Sequence, residues 1–252
     1  MADRRQEILD AALALADDKG LEAVSMRALA ERTGVTPMAL YPHVGSKAAL
    51  LDGMLGRVVS QLVADGGPAL FSGLDWRKRL RMLLHGARQL AHRHPWASAL
   101  VFSRPSATLE SASGVDLFYT TLLDAGVPPA AVPRMERLVT TFALGYGASE
   151  MGGRFAREES YVRALRGRLG DAPLPGHKAL IRWLGSPADW DAEFEADVDD
   201  LVRLVEATAA RGSVPDEQQR PDDEHRGAGD PGDRPGGSRP GGQDLPRGRP
   251  ET

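Results

Sequence analysis

The chain has no cysteine among its 252 residues, so disulfides and thiolate-bound metals are excluded, and a reducing compartment suits it. It also lacks any apolar run approaching the ~18 residues that cross a bilayer. The opening stretch MADRRQEILDAALALADDKG breaks a short apolar run with charge on both sides, unlike a secretory signal. Cytoplasmic residence without membrane contact is the expectation. Positive charge is not in surplus: 31 Lys and Arg stand against 35 Asp and Glu, a net of -4, whereas nucleic-acid binders are often basic. The N-terminal region is nearly balanced as well, with Arg4, Arg5, Lys19, Arg27, Arg32 and Lys47 set against Asp3, Glu7, Asp10, Asp17, Asp18, Glu22 and Glu31. Contact with a polyanion therefore needs local placement of a few cations and backbone amides, because the bulk field will not supply it. Strand signals are missing, since no stretch sustains alternation with β-branched residues. Catalytic signatures are missing too: there is no G-x-S-x-G, no P-loop, no G-x-G-x-x-G after a strand and no H-E-x-x-H. No enzymatic activity, cofactor or metal is expected.

What the chain does have is helical periodicity as far as about Arg211. Ile8, Ala12 and Leu15/Ala16 share a face, and Gly20 ends that run. Ser25 can cap MRALAERT, which Gly34 closes; Thr36-Pro37 opens the next helix, and Ser46 can cap KAALLDGMLGRVVSQLVA. ADGGPALFSGL, with its glycines and proline, marks a domain junction. Asp75 then caps WRKRLRMLLHGARQLAHRH, and further helices are expected over 95–103, 108–125, 130–155, 158–169, 180–184 and 187–210, with GDAPLPGHK as an interruption. Beyond Gly212 the stretch DDEHRGAGDPGDRPGGSRPGGQDLPRGRPET has one leucine and no aromatic. It cannot bury enough apolar surface to offset an ordering cost of roughly 1–2 kcal/mol per residue. The expected class is all-α, divided into an N-terminal domain at 1–62, a larger helical domain at 75–211 and a disordered tail at 212–252.

The segment VSMRALAERTGVTPMALYPHVGSKAALL has the dimensions of a helix-turn-helix, two short helices joined at Thr33-Gly34-Val35. Leu29, Ala30, Val35, Leu40 and Val44 are spaced to meet the apolar face of the preceding helix. Gly34 suits the left-handed backbone of the turn, Thr36 takes the N-cap position and Pro37 the first helical one. Met38, Ala39, Tyr41 and His43 are then left for the outward face. Pro42 removes the N–H that would bond to the carbonyl of Met38 and disfavours helical geometry at Tyr41, so it should shorten or kink this helix near its last turn.

MRALAERTGVTPMALYPHVGSKAALLDGML resembles the N-terminal domain of tetracycline-repressor-type (TetR family) regulators, and the likeness extends over roughly residues 4–62. The resemblance implies a homodimer whose paired recognition helices enter successive major grooves of double-stranded operator DNA. It also implies a C-terminal helical domain that supplies a dimer interface and a ligand cavity. By position, Arg27 corresponds to a groove-edge residue of the second helix. Thr36, Pro37, Met38 and Ala39 correspond to the base-contacting front of the recognition helix, and Tyr41, His43 and Lys47 to phosphate-gripping residues. Lys47, at the start of the fourth helix, adds its charge to exposed backbone N–H groups. Met38 and Ala39 would read thymine methyls by apolar contact, and Arg27 could read a guanine.

In the second domain, His85 and His92 lie on one helix face and His94 on another, with no carboxylate near them in sequence; they read as structural or pocket groups rather than metal ligands. The small residues Ala143, Gly145, Gly147, Ala148, Gly152 and Gly153 call for close approach of another backbone or a ligand, since each helical glycine costs about 1 kcal/mol against alanine. The acidic front half of the last helix, from Asp191 to Asp200, reads as a solvated face that complements the helix dipole. Candidate pocket liners are Met82, His85, Trp96, Phe102, Tyr119, Phe142 and Tyr146, with plain core packing as the alternative for each. Their aromatic mix suits a largely apolar small-molecule effector. The function expected is a ligand-responsive DNA-binding regulator, a repressor released from a palindromic operator. The competing reading is a helical interaction module or an enzyme that borrowed the helix-turn-helix.

Overall fold

The computed structural model describes residues 4–64, 71, 73–155, 167, 173–180, 182–183 and 188–212. The tail expected beyond Gly212 lies outside them, as does nearly all of the helix expected over 158–169. The four N-terminal helices are α1 (Arg4–Lys19), α2 (Met26–Thr33), α3 (Pro37–Val44) and α4 (Lys47–Ala64). Then come α5 (Trp76–Arg93), α6 (Ala97–Ser103), α7 (Leu109–Asp124), α8 (Val132–Met151), α9 (Pro175–Leu180) and α10 (Trp190–Gly212). The chain is all-α, as its periodicity requires.

Local chemistry sets most of these boundaries. The Ser25 hydroxyl accepts from the Ala28 N–H at 3.1 Å and so starts α2. Gly34 stops α2 in the left-handed region at φ 68°, donating its N–H to the carbonyl of Ala30. Asp75 begins α5 by accepting from the N–H groups of Arg77 and Lys78. Within GDAPLPGHK, by contrast, a short helix runs over Pro175–Leu180 and ends where the sequence suggested one should begin. Pro175 stands at its first position, where the missing N–H costs nothing, so the proline starts a helix instead of interrupting one.

One apolar core runs through the helices. Ile8, Leu9, Ala12 and Ala16 of α1 pack with Leu29, Leu40 and Val44 and with Leu50, Met54 and Val58 of α4. It continues into Leu80, Leu83, Leu84 and Leu90 of α5, Phe118 and Leu122 of α7, Val139 and Leu144 of α8 and Phe194 and Val198 of α10. Helix α4 packs against α1 and α3 and also against α5 and α7, and so belongs to both halves. Glycines permit the closest crossings. A Cβ on Gly114 of α7 would collide with the Val59 side chain, and one on Gly147 of α8 would lie 2.8 Å from Ala91 Cβ and 2.9 Å from the Arg88 carbonyl oxygen. The close approach that Gly147 permits is thus made by α5 of the same chain. Gly145 has open space around it.

Candidate nucleic-acid interface and adjoining cavity

Helix α3 is held from beneath by Leu40 and Val44, both buried, while Thr36, Pro37, Met38, Ala39, Tyr41, Pro42 and His43 are exposed. Pro42 does not remove the last turn. The helix continues through it to Val44, and the Gly45 N–H closes it on the Tyr41 carbonyl at 2.8 Å. The reason is tertiary: Leu40 and Val44 are anchored in the core on either side of Pro42. The carbonyl that loses its partner belongs to Met38, which is 75% exposed and so sits where water can reach it.

Met38 and Tyr41 are large apolar side chains that the chain itself does not cover, Tyr41 being 43% exposed. Thr36 occupies the N-cap position but makes no side-chain cap bond, which leaves its hydroxyl available to an outside partner. Lys47 begins α4, with Ser46 accepting from the Ala49 N–H at 3.1 Å, so the ammonium stands beside a helix N-terminus. Arg27 projects from α2 and pairs with Glu31 at 3.1 Å, an exposed contact that a stronger anion could displace. All eight residues expected on this surface are exposed, and seven of them lie within Thr36 to Lys47.

Behind this surface lies a cavity of about 500 Å³. Leu55, Val59 and Leu62 of α4 form one wall; Ala87 and Leu90 of α5, Val101 and Phe102 of α6, and Val115, Phe118 and Tyr119 of α7 form others. Helix α8 contributes Leu144 and the polar group Glu136, Arg137, Thr140 and Thr141. Arg104 joins the cavity to the N-terminal helices: its Nε donates to Asp52 of α4 at 2.8 Å and its guanidinium to the Ala48 carbonyl at 3.1 Å.

Of the residues expected to line a pocket, Phe102 and Tyr119 do border this cavity. Met82, His85, Trp96, Phe142 and Tyr146 do not. Met82 is half-buried against the core. Trp96 donates its indole N–H to Asp17 of α1 at 2.6 Å, and His94 meets the same carboxylate at 2.8 Å. His85, Phe142 and Tyr146 gather around Phe194 of α10, with ring centroids 5.2, 6.0 and 5.0 Å from it. Apolar periodicity shows that a residue faces inward, not whether it meets a neighbour or a void.

The acidic row of α10 is not simply a solvated face. Asp199 pairs with Arg81, Glu195 with His85 at 2.9 Å and Asp191 with Arg88 at 2.7 Å. Arg88 also donates to Glu150 of α8, which His92 meets at 2.6 Å. Burial pushes the Glu150 carboxyl upward, but the bonds from Arg88 and His92 reverse this and hold it below the ordinary range. Tyr146, whose hydroxyl donates to the Trp190 carbonyl at 2.8 Å, is pushed up to about 12 by burial and by the charge of Glu150. Each of the three histidines therefore has a carboxylate, supplied by the fold from a distant part of the chain.

Residues 8–54 match the model of bacterial regulatory proteins of the tetR family, and residues 69–172 match that of the tetracyclin repressor-like C-terminal domain. An HTH-type transcriptional regulator of Saccharopolyspora erythraea is 30% identical over 212 residues, covering 81% of this chain and 85% of the relative. The HTH-type transcriptional repressor KstR of Mycolicibacterium smegmatis is 37% identical over 113 residues, but these are 43% of this chain and 55% of KstR. Among solved structures, Streptomyces coelicolor ActR in complex with actinorhodin superposes with a TM-score of 0.66 at 22% identity, covering 81% of this chain and 97% of that one. That likeness is one of fold.

Proposed function

We propose that this chain, which belongs to the tetR family of bacterial regulatory proteins, is a homodimeric repressor that a small molecule releases from a palindromic operator. The observation that carries this reading is the double use of α4: Lys47 opens it at the α3 surface, and Leu55, Val59 and Leu62 wall the cavity. A molecule that favours one width of the cavity thereby favours one placement of α4 and of α3 beside it. It shifts the equilibrium by its difference in affinity for the two placements. Arg104 supports the coupling, since it lines the cavity and holds Asp52 and Ala48 of the same helix. Thr36, Pro37, Met38 and Ala39 face the bases, Arg27 stands at the groove edge, and Tyr41, His43 and Lys47 hold phosphates.

Two chains would pair through outer faces of α8 and α10, where Leu138 and Leu204 are exposed and Gly145 leaves room for close approach. The functional division is 1–62 for DNA, 75–211 for effector and partner, and 212–252 as a solvated extension. Selection from a random duplex pool at low salt tests the reading. It should return inverted repeats whose half-sites lie about one helical turn apart, ~34–36 Å. Failure of the intact protein to retain any duplex would sink it.

A further inference from the structure

We propose that the effector is a lipophilic organic cation, a ring-bearing apolar body with one protonated nitrogen that pairs with Glu136 inside the cavity. This rests on the effector-site reading above and adds the chemical class. Phe102, Phe118 and Tyr119 offer ring surfaces against which a flat apolar body can lie, and cation–π attraction adds to that packing.

The polar wall decides the charge. Arg104 is committed to Asp52 and to a backbone carbonyl. Arg137 is exposed, and water solvates it. Thr140, Thr141 and Ser106 are neutral. Glu136 remains, 9% exposed, accepting one hydrogen bond from the Thr140 hydroxyl at 3.0 Å. Among the described residues it forms no ion pair. A carboxylate with so little compensation is costly to bury. An aliphatic or amide side chain at this position would spare the empty protein that cost. Burial raises the carboxyl's proton affinity, and the Thr140 bond and the Arg137 charge pull it back only in part. An ammonium placed against it supplies the missing charge where water screens least. An anionic effector would meet repulsion there, and a neutral one would leave the carboxylate uncompensated.

Three fluorescent dyes test the inference on the full-length protein without DNA: proflavine, a cationic acridine; acridone, its neutral relative; and the anion 1-anilinonaphthalene-8-sulfonate. Proflavine should bind most tightly. Glu136→Gln should weaken it at least about tenfold, as loss of one partner of a desolvated charge pair requires, and leave acridone unchanged. Glu136→Asp should fall between the two. Acridone or the sulfonate binding in preference to proflavine, or proflavine binding that ignores Glu136→Gln, overturns the cationic class and leaves the effector site standing. Failure of all three dyes to bind overturns the effector site and this inference together. The three-dye comparison on the unaltered protein stands even if a variant does not fold.

Discussion

Lys47 and Glu136 are charged residues whose surroundings differ, and they fail differently when changed. Lys47 is exposed at a helix N-terminus, so the phosphate contact proposed for it would be electrostatic and sequence-independent. Lys47→Ala should weaken binding to operator and random duplex alike and lower the slope of log affinity against log salt by about one, read from titrations at several salt concentrations. Glu136 acts on the stability of the protein itself. Its carboxyl is raised above the ordinary 4.5 by burial, so between the unfolded and folded values the native state binds more protons than the unfolded one. Wild-type stability then declines as pH rises through that window, and the deficit is constant above it. Glu136→Gln lacks this loss. Denaturant titrations should show the variant gaining on the wild type as pH rises past 4.5.

Among the elements, α3 and α4 carry the consequences. Because α3 continues through Pro42, Pro42→Ala can restore the bond to the Met38 carbonyl without moving the backbone. An interior proline costs up to ~3 kcal/mol, and removing it returns roughly 0.4–1 kcal/mol of entropy to the unfolded chain. The balance favours the variant, which should unfold at a higher temperature by differential scanning calorimetry. Helix α4 is tied to the cavity through Arg104 and Asp52. Asp52→Asn keeps the size and acceptor of the side chain but removes the charge. It should leave dye binding and operator binding nearly intact and weaken the antagonism between them, measured as the dye-induced loss of operator affinity beyond that caused by the dye's own binding to the duplex, which a titration of the duplex alone supplies. The end of α5 illustrates how far side-chain chemistry can reach: His92 and His94 find Glu150 of α8 and Asp17 of α1 at separations of 58 and 77 residues. Periodicity within one helix carries no record of such partners.

For the molecule as a whole, every described helix from α1 to α10 lies within Met1–Val214. Removing residues 213–252 should therefore leave dimerisation and operator binding unchanged, as judged by sedimentation equilibrium and by the affinity for the selected duplex. Loss of either would assign the Gly/Pro-rich tail a role that its composition does not suggest. The net charge of -4 belongs to this scale as well. With little general attraction to a polyanion, affinity depends on the few groups around α3, and the salt dependence of non-specific binding should have a slope set by the small number of phosphates those groups contact.

The amino-acid sequence by itself determined most of the described helices, the caps at Ser25, Gly34 and Asp75 and the helix-turn-helix, because those features depend on residues within about one turn of each other, whereas the helix at Pro175–Leu180 was not placed by it. Ser25, Gly34, Pro37 and Asp75 act on backbone groups nearby, so their roles are legible without a fold. Tertiary structure alone decided that α3 survives Pro42, since the anchoring of Leu40 and Val44 comes from packing and outweighs the local penalty. It also decided which aromatic residues border the cavity beside α4: Phe102 and Tyr119 line it, and Tyr146 is not among its lining. The isolation of Glu136 is of the same kind. A carboxylate's surroundings depend on which distant helices close over it, and only the assembled core sets that.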